Sequence, residues 1–362
     1  MSLFTSSQFA SAAARGTDWR DTAKAVLDKL ESVKTKGADF NVGFLYISDV
    51  LADDAESILN LFKSVLTIEH WVGCVAMGVC ANGEVHVDVP AISTMIGAFE
   101  PDDFCVFPAM GPDQDAAAGA VAPWLKQNDP MLVVTHGDPM TEIEPGHALK
   151  TLNAMTQGFL VGGLSSSRHQ QMQFADGPQQ DGYSGVIFSQ NIAVATTLSQ
   201  GCKAIGAYHT ITRCEDNHII ELDNQSAVSV FEEDLRSMAM QAVGRDPDQI
   251  TVGEIGINDP SDLPEAFQSV FKGNMHVAFS VSESDQQDYM VRNIMGLDPD
   301  HGVISVSQFL TGGERVMFGH RNDETVREDL AHSLVNLRKR VQRDTGTFEP
   351  KGALYVSCVA RA

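Results

Sequence analysis

The chain has 362 residues, of which 43% are hydrophobic and 20% charged, so it can bury a large core, and its length suggests about two domains. Asp and Glu total 48 against 25 Lys and Arg, for a net charge of -23. A surface this acidic lacks the cationic patches that phosphate backbones and anionic headgroups require, so neither nucleic acid nor membrane is expected as a partner. The six cysteines form no Cys-x-x-Cys pair, and no apolar run nears the roughly 18 residues of a spanning helix, so the expectation is a reduced, cytoplasmic chain.

Residues 1–16 are rich in Ser and Ala and are expected to be loosely held. Thr17 then caps a helix in which Ala23, Val26, Leu27, Leu30 and Val33 share a face, ending near Gly37. Residues 41–47 form a short apolar run that reads as a buried strand, and Ile58, Leu59, Phe62 and Val65 mark a second helix. Strands are expected at 71–75, 84–89 and 92–99, a meander that implies a mixed sheet. After a turn at 111–115 come an Ala-rich helix, a strand at 130–135, a helix at 147–155, and a strand at 159–161 that runs into a Gly-Ser loop.

Residues 186–189 and 192–198 read as a tight hairpin turning at Gln190 and Asn191, followed by strands at 210–212 and 219–222. Beyond Asp223 and Asn224 a helix carries Val228, Phe231 and Leu235. Strands at 277–281, 289–294, 303–306 and 315–318 precede a long helix from 323 to about 343, with Val326, Leu330, Leu334, Leu337 and Val341 along one face. Its acidic start and basic Arg338–Arg340 finish suit the helix dipole. A final strand is expected at 353–357, and no short tandem repeat is visible. The pattern predicts an α+β fold of two lobes, each a mixed, largely antiparallel sheet with helices packed on it. The expected divisions are 1–38 (an N-terminal segment and first helix), 39–223 and 224–362.

Three small-residue segments are candidates for ligand binding: Gly73 and Cys74; Gly162 and Gly163 with Ser165 and Ser166; and Gln200, Gly201 and Cys202. Glycine-bearing loops let backbone N–H groups and hydroxyls approach a polar ligand closely, although each glycine can equally serve only a turn. Cys74 and Cys202 have no local base signature, and buried inert cysteine is the commoner case. The serines fit no Gly-x-Ser-x-Gly elbow, and neither phosphate-loop fingerprint occurs. His86 with Asp88, and His136 with Asp138, give two ligands each, too few for a metal site, so no metal is expected. No catalytic residue is assigned.

Several segments in order carry a resemblance. These are 41–45, 72–74 with 83–85, 159–163, 199–206, 210–212 with 219–223, 291–299, 313–316 and 352–358. On them the chain resembles the FIST family, with an N-type domain over 39–223 and a C-type domain over 224–362. The resemblance implies a non-catalytic sensory, signal-transducing protein that binds a small polar, amino-acid-like ligand and acts on a signalling partner. The alternatives are a haem-binding nitric oxide sensor that regulates a separate kinase, and a thiol-dependent enzyme. Haem is the one cofactor the resemblance suggests, with no histidine transferred as its ligand. The sequence departs from the family after Cys358, where Val359, Ala360, Arg361 and Ala362 stand in place of an Asn-Gly-Arg-Gly run.

Overall fold

The helix at the start of the chain forms because an apolar residue recurs each turn. In α1 (Trp19–Val33), Ala23, Val26 and Leu30 are buried while the polar residues between them face solvent. Its capping residue is Asp18, whose Oδ1 accepts from the N–H groups of Arg20 and Asp21; Thr17, the expected cap, donates to Asp21 instead. The computed structural model describes residues 9–33, 38–112, 114–243, 274–280 and 289–358. Of the segment expected to be loosely held, residues 9–15 form a strand, and residues 1–8 lie outside the described residues. The end of the first helix near Gly37, the last residue of the strand at 277–281, and residues 359–362 also lie outside them. The chain divides into two compact units, 1–194 with 349–362, and 195–348.

The first unit contains two copies of one plan. The first copy runs β1 (Phe9–Arg15), α1, β2 (Val42–Ser48), α2 (Ala55–Leu66), β3 (His70–Ala76), the β4 (Gly78–Ala81) and β5 (Glu84–Val87) hairpin, and β6 (Ala91–Gly97). The second runs β7 (Phe104–Met110), α3 (Asp115–Leu125), β8 (Pro130–Gly137), α4 (Pro145–Thr156), β9 (Phe159–Leu164), the short pair β10 (Gln173–Ala175) and β11 (Pro178–Gln179), and β12 (Tyr183–Ser189). The sheet orders match, β1-β6-β2-β3 and β7-β12-β8-β9. In each, one parallel pair joined by a helix (β2 with β3, β8 with β9) sits in an otherwise antiparallel sheet. The first sheet is extended at β3 by β10 and β11.

The two sheets pack face to face between two helical layers. Val42, Phe44 and Val72 meet Val134, Val186 and Phe188 between the sheets. On the outer faces, Leu45 and Ile47 pack under α1 and α2, and Val133 and Ile187 under α3 and α4. Burial on both sides explains why β2 reads as one continuous apolar run. The glycine-bearing segments at 73–74 and 162–163 prove to lie inside β3 and β9, not in loops. The expected hairpin at 190–191 is absent, because both edges of β12 are already taken by β7 and β8. Residues 353–357 pair with no strand among the described residues.

The second unit is a closed antiparallel barrel. Strands β13 (Lys203–Glu215), β14 (His218–Leu222), β15 (Gln225–Ser226), β16 (Asn274–Ser280), β17 (Tyr289–Asp298), β18 (Val303–Val306) and β19 (Arg315–Arg321) run in the order β13-β19-β16-β17-β18-β14-β15, and β13 also pairs with β14 to close the ring. Helix α5 (Ala227–Val243) packs Val228, Phe231 and Leu235 against Ile205, Ile219, Val316 and Phe318 of the barrel, with the Phe231 and Phe318 rings 4.7 Å apart. The last helix, α6 (Asp323–Thr345), opens on an Asn322–Thr325 capping box and closes on left-handed Gly346.

His209 ties β13 to α5. Its Nδ1 lies 2.7 Å from Asp223 Oδ2 and its Nε2 2.9 Å from Asp234 Oδ2. When both carboxyls are ionised, each ring nitrogen donates to one of them and the ring is an imidazolium, although burial raises the Asp234 carboxyl. Burial favours the neutral ring, but the two carboxylates outweigh it and raise the pKa above 6.5. The stability from this clamp is therefore full below the unfolded value of 6.5 and is lost as pH rises through the raised folded value. Denaturant titrations should show wild type and His209→Gln differing most below pH 6.5, with the difference shrinking as pH rises above it.

Candidate functional site

Two equivalent glycines define where the parallel pairs pack most tightly. Gly73 has φ +148° and Gly162 φ +142°. A Cβ at Gly73 would stand 1.8 Å from the Leu45 carbonyl oxygen, and one at Gly162 would stand 1.8 Å from that of Thr135. Only glycine allows this combination of backbone angle and close approach. The two contacts also align the copies: Leu45 corresponds to Thr135, and so Tyr46 to His136.

These two corresponding side chains meet. Tyr46 Oη lies 3.2 Å from His136 Nε2, with ring centroids 5.6 Å apart. The strand register surrounds the pair with small polar and thiol groups. Tyr46 stands opposite Cys74 and Ser93, and His136 opposite Gly163 and Ser184. Ser93 donates to the Cys80 carbonyl, and Ser184 to Gln173, which in turn donates to the Gly182 carbonyl. His136 is 4% exposed, and its Nδ1 is buried with no partner. Burial lowers its pKa to about 4, so the ring is neutral near pH 7, and burial likewise pushes the Tyr46 phenol up.

The segment after β9 crosses to the end of β3. Ser166 Oγ accepts from the Met77 N–H at 3.1 Å, while Ser165 donates its N–H to Gly137 and its hydroxyl to Gln171. Arg168 then grips buried Asp49, just beyond β2, through Nε and one terminal nitrogen, both at 2.8 Å, and also pairs with Asp88. The Arg168 hydrogen bond holds the Asp49 carboxyl below the usual carboxylate range, despite its burial. Gly73, Cys74, Gly162, Gly163, Ser165 and Ser166 thus all belong to the first unit, within β3 and β9 or just after β9.

Gln200, Gly201 and Cys202 belong to the second unit, immediately before β13, and are tied to α6 and β17. The Gly201 N–H and the Ser199 hydroxyl both donate to Asp329 Oδ2, at 2.8 and 2.6 Å, and Thr325 donates to the Gly201 carbonyl. Gln200 donates to the Tyr289 carbonyl, and the Tyr289 hydroxyl to that of Cys202. The Ser199 and Gly201 donors therefore serve a carboxylate of the chain itself, and the Gln200 amide a backbone carbonyl.

Other expectations resolve locally. The Cys74 thiol is pushed up to about 12 by burial, so it is not a thiolate at neutral pH. His86 pairs with Glu84 on the β4–β5 hairpin, and Asp138 accepts from the Met140 and Asp181 N–H groups. Among the described residues no group of three or more His, Cys, Asp or Glu is placed to hold a metal ion, and no helix is long and apolar enough to cross a membrane. Sequence reasoning missed Tyr46, Asp49 and Arg168, and it weighed His136 only as a metal ligand. The one signal that could have found the central pair is that Tyr46 and His136 each interrupt an apolar strand with a polar ring.

Comparison with known families gives two matches that do not overlap. The FIST N domain model matches residues 41–225, and the FIST C domain model matches residues 257–362. No curated protein matches the sequence.

Proposed function

The chain belongs to the FIST family, whose domains are sensory, small-ligand-binding signalling modules, and from that premise we propose that its first unit is a non-catalytic receptor for a small polar, amino-acid-like ligand. The proposed site lies at the carboxyl ends of β2, β3, β8 and β9, the end of parallel strand pairs at which open sheets commonly bind ligands. The observation that carries the reading is His136 Nδ1, a buried polar atom with no partner beside Tyr46. A native interior leaves few such atoms, and a ligand group there would satisfy it.

The chemistry around it suits a zwitterion. The Ser166 hydroxyl and the half-exposed Arg168 guanidinium complement a carboxylate, while the Tyr46 oxygen, whose proton goes to His136, and Asp138 complement an ammonium group. Binding would signal by favouring one arrangement of the chain over another, which a separate signalling protein would read. Haem fits this set poorly. These hydroxyl, guanidinium and carboxylate groups suit a compact polar ligand, not the apolar face of a haem macrocycle.

A thermal-shift screen of the full chain against each protein amino acid tests the reading. A ligand at about 100 times its Kd adds about 2.7 kcal/mol of apparent stability, several degrees in Tm. Tyr46→Phe should weaken the binding of any hit by about tenfold, the worth of one buried hydrogen bond. A screen with no hit, or a hit that binds Tyr46→Phe as tightly as wild type, contradicts it.

A further inference from the structure

The two copies in the first unit differ at one edge. In the first, β3 is covered on its outer side by β10, paired antiparallel through Gln173, Phe174 and Ala175. In the second, the equivalent strand β9 pairs, among the described residues, with β8 alone. Its outer edge is open, with Phe159 61% and Leu164 48% exposed. An open edge is a template for strand addition, and native sheets usually guard it with charge or proline. Residues 159–164, Phe-Leu-Val-Gly-Gly-Leu, carry neither.

An uncharged segment with strand-forming character lies beside this edge. Residues 352–358, Gly-Ala-Leu-Tyr-Val-Ser-Cys, pair with no strand, and Leu354, Tyr355 and Val356 are 37%, 53% and 55% exposed. The segment begins against β1, where a Cβ on Gly352 would stand 2.9 Å from the Phe9 ring. It then reaches β9, where a Cβ on Gly163 would stand 3.5 Å from Val356 Cγ1, an ordinary van der Waals contact.

We propose that the open edge of β9 is a docking site for residues 353–358 of the same chain, which add to it as a strand. Covalent tethering holds this segment at high effective concentration beside the edge, which favours it over a second copy of the chain. Its pairing gives the second copy the cover that β10 gives the first. Gly163 stands opposite His136 in the β8–β9 register, so the docked segment sits one strand away from the candidate site. The proposal depends on the edge and the segment, and it stands whether or not an amino acid binds.

Hydrogen exchange on the full-length chain tests it, with Val356→Pro as the variant, since proline removes a ladder donor. The outward-facing amides of β9 should exchange at least about tenfold more slowly in wild type than in the variant, with β8 and β12 equally protected in both. A second variant, Gly163→Cys with Val356→Cys in a Cys358→Ser background, should form an intramolecular disulfide on mild oxidation. It reads the same contact if Val356→Pro fails to fold. Equal β9 exchange in wild type and a folded Val356→Pro, or cross-links found only between molecules, would overturn the proposal; the second result would place another copy on the edge.

Discussion

Gly73→Ala and Gly162→Ala are each expected to destabilise the protein by about 3 kcal/mol or more. The cause is geometric. Each glycine combines a backbone angle that L side chains rarely adopt with a carbonyl oxygen 1.8 Å from where a Cβ would stand. Relief requires β3 to move away from β2, or β9 from β8, which lengthens ladder hydrogen bonds and opens the packing between the sheets. Gly83→Ala is the control. Gly83 also has positive φ, at +84°, but nothing lies within 4 Å of its added Cβ, so only the backbone strain of about 1 kcal/mol remains. Urea denaturation of the three variants should separate close approach from strain. Equal, small losses in all three would show that the paired strands do not need the glycines.

The second large effect is acid sensitivity from His136. Its folded pKa of about 4 lies below the unfolded value of 6.5, so the unfolded chain takes up the proton first as pH falls. Stability is therefore full above about pH 6.5 and declines between there and about pH 4, by roughly 3 kcal/mol in all. His136→Gln keeps an acceptor for the Tyr46 hydroxyl and does not titrate, so this component should vanish in the variant. The measurement is the difference between wild type and variant across that window, which cancels the carboxylates common to both. A constant difference would mean that His136 protonates in place without penalty.

Much of the architecture is legible because burial leaves a mark on residue type. β2, β3 and β8 are apolar runs of strand length, and α2 repeats Ile58, Leu59 and Phe62 on one face. β7 is not legible because Pro108 interrupts it, which is tolerated since β7 is an edge strand. Residues 192–198 have a strand-like pattern, yet β12 has no free edge to offer them. Pairing partners are a tertiary property, which no local window contains.

The candidate site divides in the same way. Gly73, Gly162 and Ser166 are visible as unusual small residues, but their role is not. A glycine that relieves a turn and one that admits a neighbouring carbonyl look alike in sequence. The duplication itself is hidden because equivalent positions hold different residues, Tyr46 and His136 among them, and Leu45 and Thr135. Only the fold shows that these two rings meet, and that one of them carries an unsatisfied nitrogen.

The imidazole nitrogens of His136 give the most direct test of the proposed site. The full chain, labelled with ¹⁵N-histidine, is recorded alone and with the amino acid that most raises its Tm; the resonance missing from His136→Gln identifies this ring among the 11 histidines. A ligand hydrogen-bonded at Nδ1 should shift the His136 Nδ1 signal and leave its Nε2 bond to Tyr46 in place. A His136 spectrum unchanged by a bound amino acid would contradict the account.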